Sequence, residues 1–100
     1  MKTTIEEVDD RLVATLDGEL DTAAAVETEK EFQPLIDSKD KDIVIDCTKL
    51  QYISSSGLRL LLSLLKSTKA NGHELVLKNL NENISKVFSM TGFTSLFKIE

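Results

Sequence analysis

The chain has one cysteine, Cys47, one histidine, His73, one proline, Pro34, and no tryptophan. A lone cysteine excludes an internal disulfide, and with only one histidine there is no Cys/His cluster of the kind that binds zinc. No apolar run approaches the ~18 residues that a spanning helix needs. The opening Met-Lys-Thr-Thr-Ile-Glu-Glu also lacks the apolar stretch of a secretory signal. A cytoplasmic location without membrane insertion is therefore expected. There is no basic block either: 12 Lys and Arg stand against 17 Asp and Glu, a net charge of −5. This removes the attraction that supplies most non-specific nucleic-acid affinity, so direct nucleic-acid binding is not expected, nor is a pull toward anionic lipid. Walker loop, dinucleotide fingerprint and Ser-His-Asp order are all missing, so no cofactor is implied and an enzyme is not expected.

What is present is an ordinary globular composition. Apolar residues make up 41% and charged residues 29% of 100 residues, which suits one domain over residues 1–100 with a real core. Thr3 to Val8 and Arg11 to Leu16 read as strands, and Asp9-Asp10 between them suits a tight hairpin turn. Asp17-Gly18-Glu19-Leu20-Asp21 reads as a loop, with Asp21 or Thr22 able to cap the helix that follows. That helix is expected to run to about Ser38 and to kink or break near residues 30 to 33, because Pro34 removes a backbone donor. Phe32, Leu35 and Ile36 should still face the core. Asp42 to Cys47 places Ile43, Ile45 and Cys47 on one face and Val44 on the other, which predicts a central strand covered on both sides. Leu58 to Leu65 holds six leucines in eight positions, an arc of roughly 200° on a helix. Asn71-Gly72 ends that helix, Glu74 to Lys78 reads as a strand, and a third helix spans Asn81 to Met90. Phe93, Leu96, Phe97 and Ile99 are expected to close the core. The order β-β-α-β-α-β-α, with right-handed crossovers, predicts a small α/β domain whose mixed sheet has four or five strands, an N-terminal hairpin and about three helices.

Two groups of residues are candidates for chemistry. Ile53-Ser54-Ser55-Ser56-Gly57 lies between the central strand and the leucine-rich helix. A serine there can cap the helix by accepting a hydrogen bond from a free backbone N–H, but only one of the three can be the cap. The amino end of a helix also favours a phosphate, so phosphorylation is the competing reading, and spacing alone does not choose. The acidic group Asp17, Glu19, Asp21 and Asp46 could hold Mg²⁺ or accept a phosphoryl group. A solvated loop is the simpler account, since an aspartyl-phosphate receiver would want five βα units in place of an opening hairpin. Cys47 reads as a small core side chain and His73 as a surface turn residue.

Three segments together resemble the STAS domain family, specifically single-domain bacterial anti-sigma factor antagonists. They are Thr15-Leu-Asp-Gly-Glu-Leu-Asp21, Ile43-Val-Ile-Asp-Cys-Thr-Lys-Leu50 and Ile53-Ser-Ser-Ser-Gly-Leu-Arg59, and the likeness extends over essentially the whole chain. The resemblance implies a partner-switching protein. Its unphosphorylated form would bind an anti-sigma factor, a serine kinase of the GHKL type, and so release a sigma factor. Phosphorylation would break that association, and a PP2C-type phosphatase would restore it. The family's Asp-Ser-Ser-Gly motif falls on Ser54-Ser55-Ser56-Gly57, which marks Ser55 as the acceptor, with Ser54 and Ser56 as alternatives and Ser54 standing where aspartate is usual. Asp21 matches the family's loop aspartate near the serine. The expected partner surface comprises Asp21, the three serines, Leu58 at the edge of the leucine arc, and Arg59 facing an acidic partner. Leu58 packing beneath the Gly-Glu-Leu-Asp loop is the competing placement. A phosphate at a helix amino end should strengthen the helix, so switching is expected through the surface without unfolding. An alternative role for such a domain is a cytoplasmic accessory subunit of a lipid-transport ABC assembly.

Overall fold

A computed structural model describes residues 1–100. The first two strands, β1 (Lys2–Val8) and β2 (Arg11–Leu20), form the expected antiparallel hairpin. Its turn residues Asp9 and Asp10 both have positive φ, 51° and 64°, the backbone that a two-residue hairpin loop demands. Next come α1 (Thr22–Glu31), α2 (Gln33–Asp37), β3 (Asp42–Asp46), β4 (Leu50–Ile53), α3 (Ser55–Ala70), β5 (Leu75–Lys78), α4 (Glu82–Met90), a 3₁₀ turn at Phe93–Ser95, and β6 (Lys98–Ile99).

The strands run β1-β2-β3-β5-β6, with β4 off this path and paired only to β2. There are thus six strands, beyond the four or five expected. The added strand that matters is β4, and local chemistry explains it. Asp46, at the end of β3, accepts from the Thr48 amide (3.0 Å) and hydroxyl (2.6 Å). This turns the chain so that Gly18 N donates to Lys49 O at 3.0 Å. Arg11 to Thr15 of β2 pair with β3, and Gly18 to Leu20 pair in parallel with β4 across an irregularity between Gly18 and Glu19. The segment expected as a loop over residues 17 to 21 is therefore strand as far as Leu20.

The expected helix over residues 22 to 38 is broken at Phe32. Pro34 lies in the first turn of α2, and the amides of Leu35 and Ile36 both donate to Phe32 O, at 2.9 and 3.0 Å. Phe32 and Leu35 are fully buried and Ile36 packs against the core. In α3 the leucine arc buries Leu58, Leu61, Leu64 and Leu65.

Strands β2, β3, β5 and β6 lie side by side in chain order, and crossovers that all follow the general right-handed rule set their helices on one face of such a sheet. Every buried apolar helix side chain accordingly joins one core with Ile43, Ile45 and Cys47. Val44 and Val76 lie outside that core although they are buried. β3 is thus buried on both faces, as expected, with its second face outside the core that the helices share. The valines pair in register with each other and with Val13, and the half-buried Arg11, Asp42, Asp46 and Lys78 share their face, where long stems can shield apolar neighbours. At the C-terminal end Phe97 enters the core, with its ring edge-on to Phe88 at 5.7 Å. Leu96 and Ile99 do not, at 45% and 37% exposed: Leu96 closes the 3₁₀ turn, and Ile99 lies on the two-residue β6, an outer strand with one side uncovered. Burial pushes the Cys47 thiol up to about 12, with the Asp46 charge adding to the effect.

Candidate functional site

Because β2 and β4 run parallel with Leu20 opposite Ile53, the next residues, Asp21 and Ser54, leave the sheet side by side. Each begins a helix. Asp21 Oδ1 accepts from Ala24 N at 2.8 Å and caps α1. Ser54 Oγ accepts from Gly57 N at 3.1 Å and caps α3. Ser54 is also fastened sideways, since its amide and its hydroxyl both donate to Leu20 O, at 2.9 and 3.1 Å. Its hydroxyl is therefore used both as donor and as acceptor.

The other two serines differ from it and from each other. Ser56 is half-buried and accepts from Arg59 Nη2 at 3.3 Å. Ser55, the first residue of α3, is exposed, and its hydroxyl makes no hydrogen bond to the rest of the chain. Gly57 is buried at the seam between the two junctions. A Cβ there would stand 2.8 Å from Leu20 Cγ and 2.9 Å from Ile53 Cγ1, distances that side chains do not tolerate. Glycine is thus demanded inside this helix by Leu20 at the end of β2 and Ile53 at the end of β4.

Leu58 is only 4% exposed and belongs to the main core. Its expected role in partner contact is corrected, because on α3 it points beneath the junction with the other core leucines. Arg59, next in sequence, is exposed. It lines an open groove of about 320 Å³ between α1 and α3 with Val26, Glu29, Ser56 and Leu60. Val26, 56% exposed, went unnoticed in the sequence. The available signal was a lone branched apolar residue on the polar side of an otherwise Ala- and Glu-rich helix.

The acidic candidates do not converge. Asp17, Glu19 and Asp21 border an open hollow beside Gly18, whereas Asp46 is tied to the Thr48 turn and to Asn79 Nδ2, at 3.2 Å. Burial alone would raise the Asp46 carboxyl, but the bonds from Thr48 and Asn79 together hold it below the ordinary carboxylate range. No three acidic, histidine or cysteine side chains form a group that could hold a metal ion. His73 stands apart from the serines, with Nδ1 3.0 Å from Asp42 Oδ1. The Glu74 amide and the His73 ring, in that order, lower the Asp42 carboxyl.

A family model for the STAS domain matches residues 2–100. The chain belongs to the STAS domain family. A Bordetella bronchiseptica protein named as an anti-sigma factor antagonist, BtrV, is 36% identical over 99 residues, covering 99% of this chain and 85% of its own. The crystal structure of a Thermotoga maritima protein, also named as an anti-sigma factor antagonist, superposes with a TM-score of 0.87. It has 25% identity and covers 97% of this chain and 84% of that one. The Bacillus cell fate determinant SpoIIAA, solved in a phosphorylated form, shares the fold, with a TM-score of 0.75, 24% identity, and coverage of 99% and 91%. In this STAS domain Asp21, Ser54, Ser55, Ser56 and Arg59 gather at one end of the sheet, and no helix is long and apolar enough to cross a membrane.

Proposed function

We propose that residues 1–100 act as one cytoplasmic anti-sigma factor antagonist unit, controlled by phosphorylation of Ser55. The observation that carries the reading is the division of labour among the three hydroxyls. Ser54 is consumed by the cap and by Leu20, Ser56 is held by Arg59, and Ser55 alone is exposed and unbonded. The anti-sigma factor antagonist relative, alike over nearly the whole chain, supports this reading over an accessory role in lipid transport. Ser54, in the place of the usual aspartate, caps α3 without adding a charge.

The unmodified form binds an anti-sigma factor kinase of the GHKL type through Asp21, the serines and Arg59, and the sigma factor is released. The kinase moves the γ-phosphoryl group of ATP to Ser55 Oγ; the bond to ADP breaks and the hydroxyl proton leaves. Phosphate adds about −1.5 to −2 charge at neutral pH to a chain already at −5, and an acidic or apolar partner face rejects it. A PP2C-type phosphatase resets the switch. Fragment mass analysis after incubation with the cognate kinase and ATP should find phosphate on Ser55, and label on Ser54 or Ser56 would overturn the assignment. Ser55→Ala should bind the kinase and resist switching, while Ser55→Asp should bind about tenfold or more weakly, a cost of roughly 1.4 kcal/mol.

A further inference from the structure

Arg59 is a cation without an acidic partner in an acidic protein. None of the seven ion pairs of the chain includes it, although Glu29 lies on the same groove. Its guanidinium turns back toward the start of α3 and rests on a neutral acceptor, Ser56 Oγ, at 3.3 Å. At about 100° per residue, Ser56 lies about 60° from Arg59 on one side of the helix and Ser55 about 40° on the other, so both are one turn away. Ser55 is exposed, with its hydroxyl free. An anion one turn N-terminal to a cation is also the favourable order for such a pair on a helix.

We infer that Arg59 is the internal counter-ion of the phosphorylated form, exchanging its contact with Ser56 for the phosphoryl oxygens on Ser55. The contact given up joins a cation to a neutral hydroxyl and the one gained joins it to a doubly charged, bidentate acceptor, so the exchange adds Coulomb attraction and is downhill. Ser56 lines the groove between α1 and α3 and Ser55 does not. The exchange therefore draws the guanidinium away from Val26 and Leu60. Phosphorylation then changes the partner surface twice, by adding a negative group at the start of α3 and by withdrawing the cation from the groove beside it. Arg59 is thus a positioning residue for the modified state.

This inference rests on Ser55 being the acceptor, and its test is independent of the kinase. The full chain is made with phosphoserine encoded at position 55, and the second ionisation of the phosphate is followed by ³¹P NMR against pH. A neighbouring cation favours the dianion, so the parent should ionise about 0.3 to 0.7 pH unit lower than Arg59→Ala and Arg59→Gln. Arg59→Lys should recover part of that difference. Identical titrations of the parent and Arg59→Ala would overturn the inference, and so would a shift that Arg59→Lys does not recover, since charge would then not be its cause. Kinase labelling of Ser54 or Ser56 would instead overturn the function proposed above and leave the titration result standing.

Discussion

At the junction of β2 and α1 the capping carboxylate of Asp21 faces solvent, and the helix it starts buries only Ala25 and Thr28. At the junction of β4 and α3 the capping hydroxyl of Ser54 is half-buried and bonded to the neighbouring strand, and its helix buries six residues. The same capping device is thus used once loosely and once as a weld. The exposed serine is carried by the welded junction, so Ser55 is presented on a platform that has little freedom to respond. A modification there acts on whatever approaches from outside. The looser junction contributes the adjoining wall, in Asp21 and Val26, where adjustment to a partner costs less.

Substitutions at three positions test how different the junctions are. Gly57→Ala should have the largest effect. An ordinary helical Gly→Ala change gains about 0.5 to 1 kcal/mol, but here the added methyl meets Leu20 and Ile53 and should cost about 1 to 3 kcal/mol. Thermal melting reads this directly, and a raised midpoint would show that the seam is looser than described. Ser54→Ala should follow at about 1 to 2 kcal/mol, since it removes the cap and the bond to Leu20 O together. Ser54→Asp should keep the cap and recover part of that loss. Asp21→Ala should have the smallest effect, about 0.5 to 1 kcal/mol. Its sharper signature is local: amide exchange should rise in the first turn of α1 and stay unchanged in α3. Comparable exchange in both helices would erase the distinction.

Where local chemistry decides, the sequence could be read. Asp9-Asp10 needs no tertiary partner to favour a hairpin turn, Pro34 is tolerated only in the first turn of a helix and so ends the helix before it, and Asp21 is a capping candidate from its residue type alone. The misses are residues whose state depends on a distant neighbour. Leu50–Ile53 is four residues long and becomes a strand because β2 overruns β3 and offers it an edge. Asp17-Gly18-Glu19 carries turn residues, yet pairing with β4 holds Glu19 and Leu20 extended. The width of the leucine arc suits Leu58 to an interface or to packing beneath the loop, and its burial among the core leucines decides for the core. For the candidate site, the sequence narrowed the chemistry to three adjacent serines. Which of them caps could be settled only by knowing that the Leu20 carbonyl lies alongside Ser54.

Cys47 gives the chain a built-in chemical clock. Its sulfur is wholly enclosed at the end of the central strand, and its proton is held until a pH of about 12. A disulfide reagent added to the folded protein therefore finds almost no thiolate to attack. Reaction must wait for the sheet to open, so the labelling rate at neutral pH counts openings of the core. Nothing else in the sequence competes for the reagent, because this is the only sulfhydryl. Labelling should run at the same pace in the unmodified chain and in the chain phosphorylated on Ser55 if the modification works from the surface, and faster labelling after phosphorylation would show that it reaches the core.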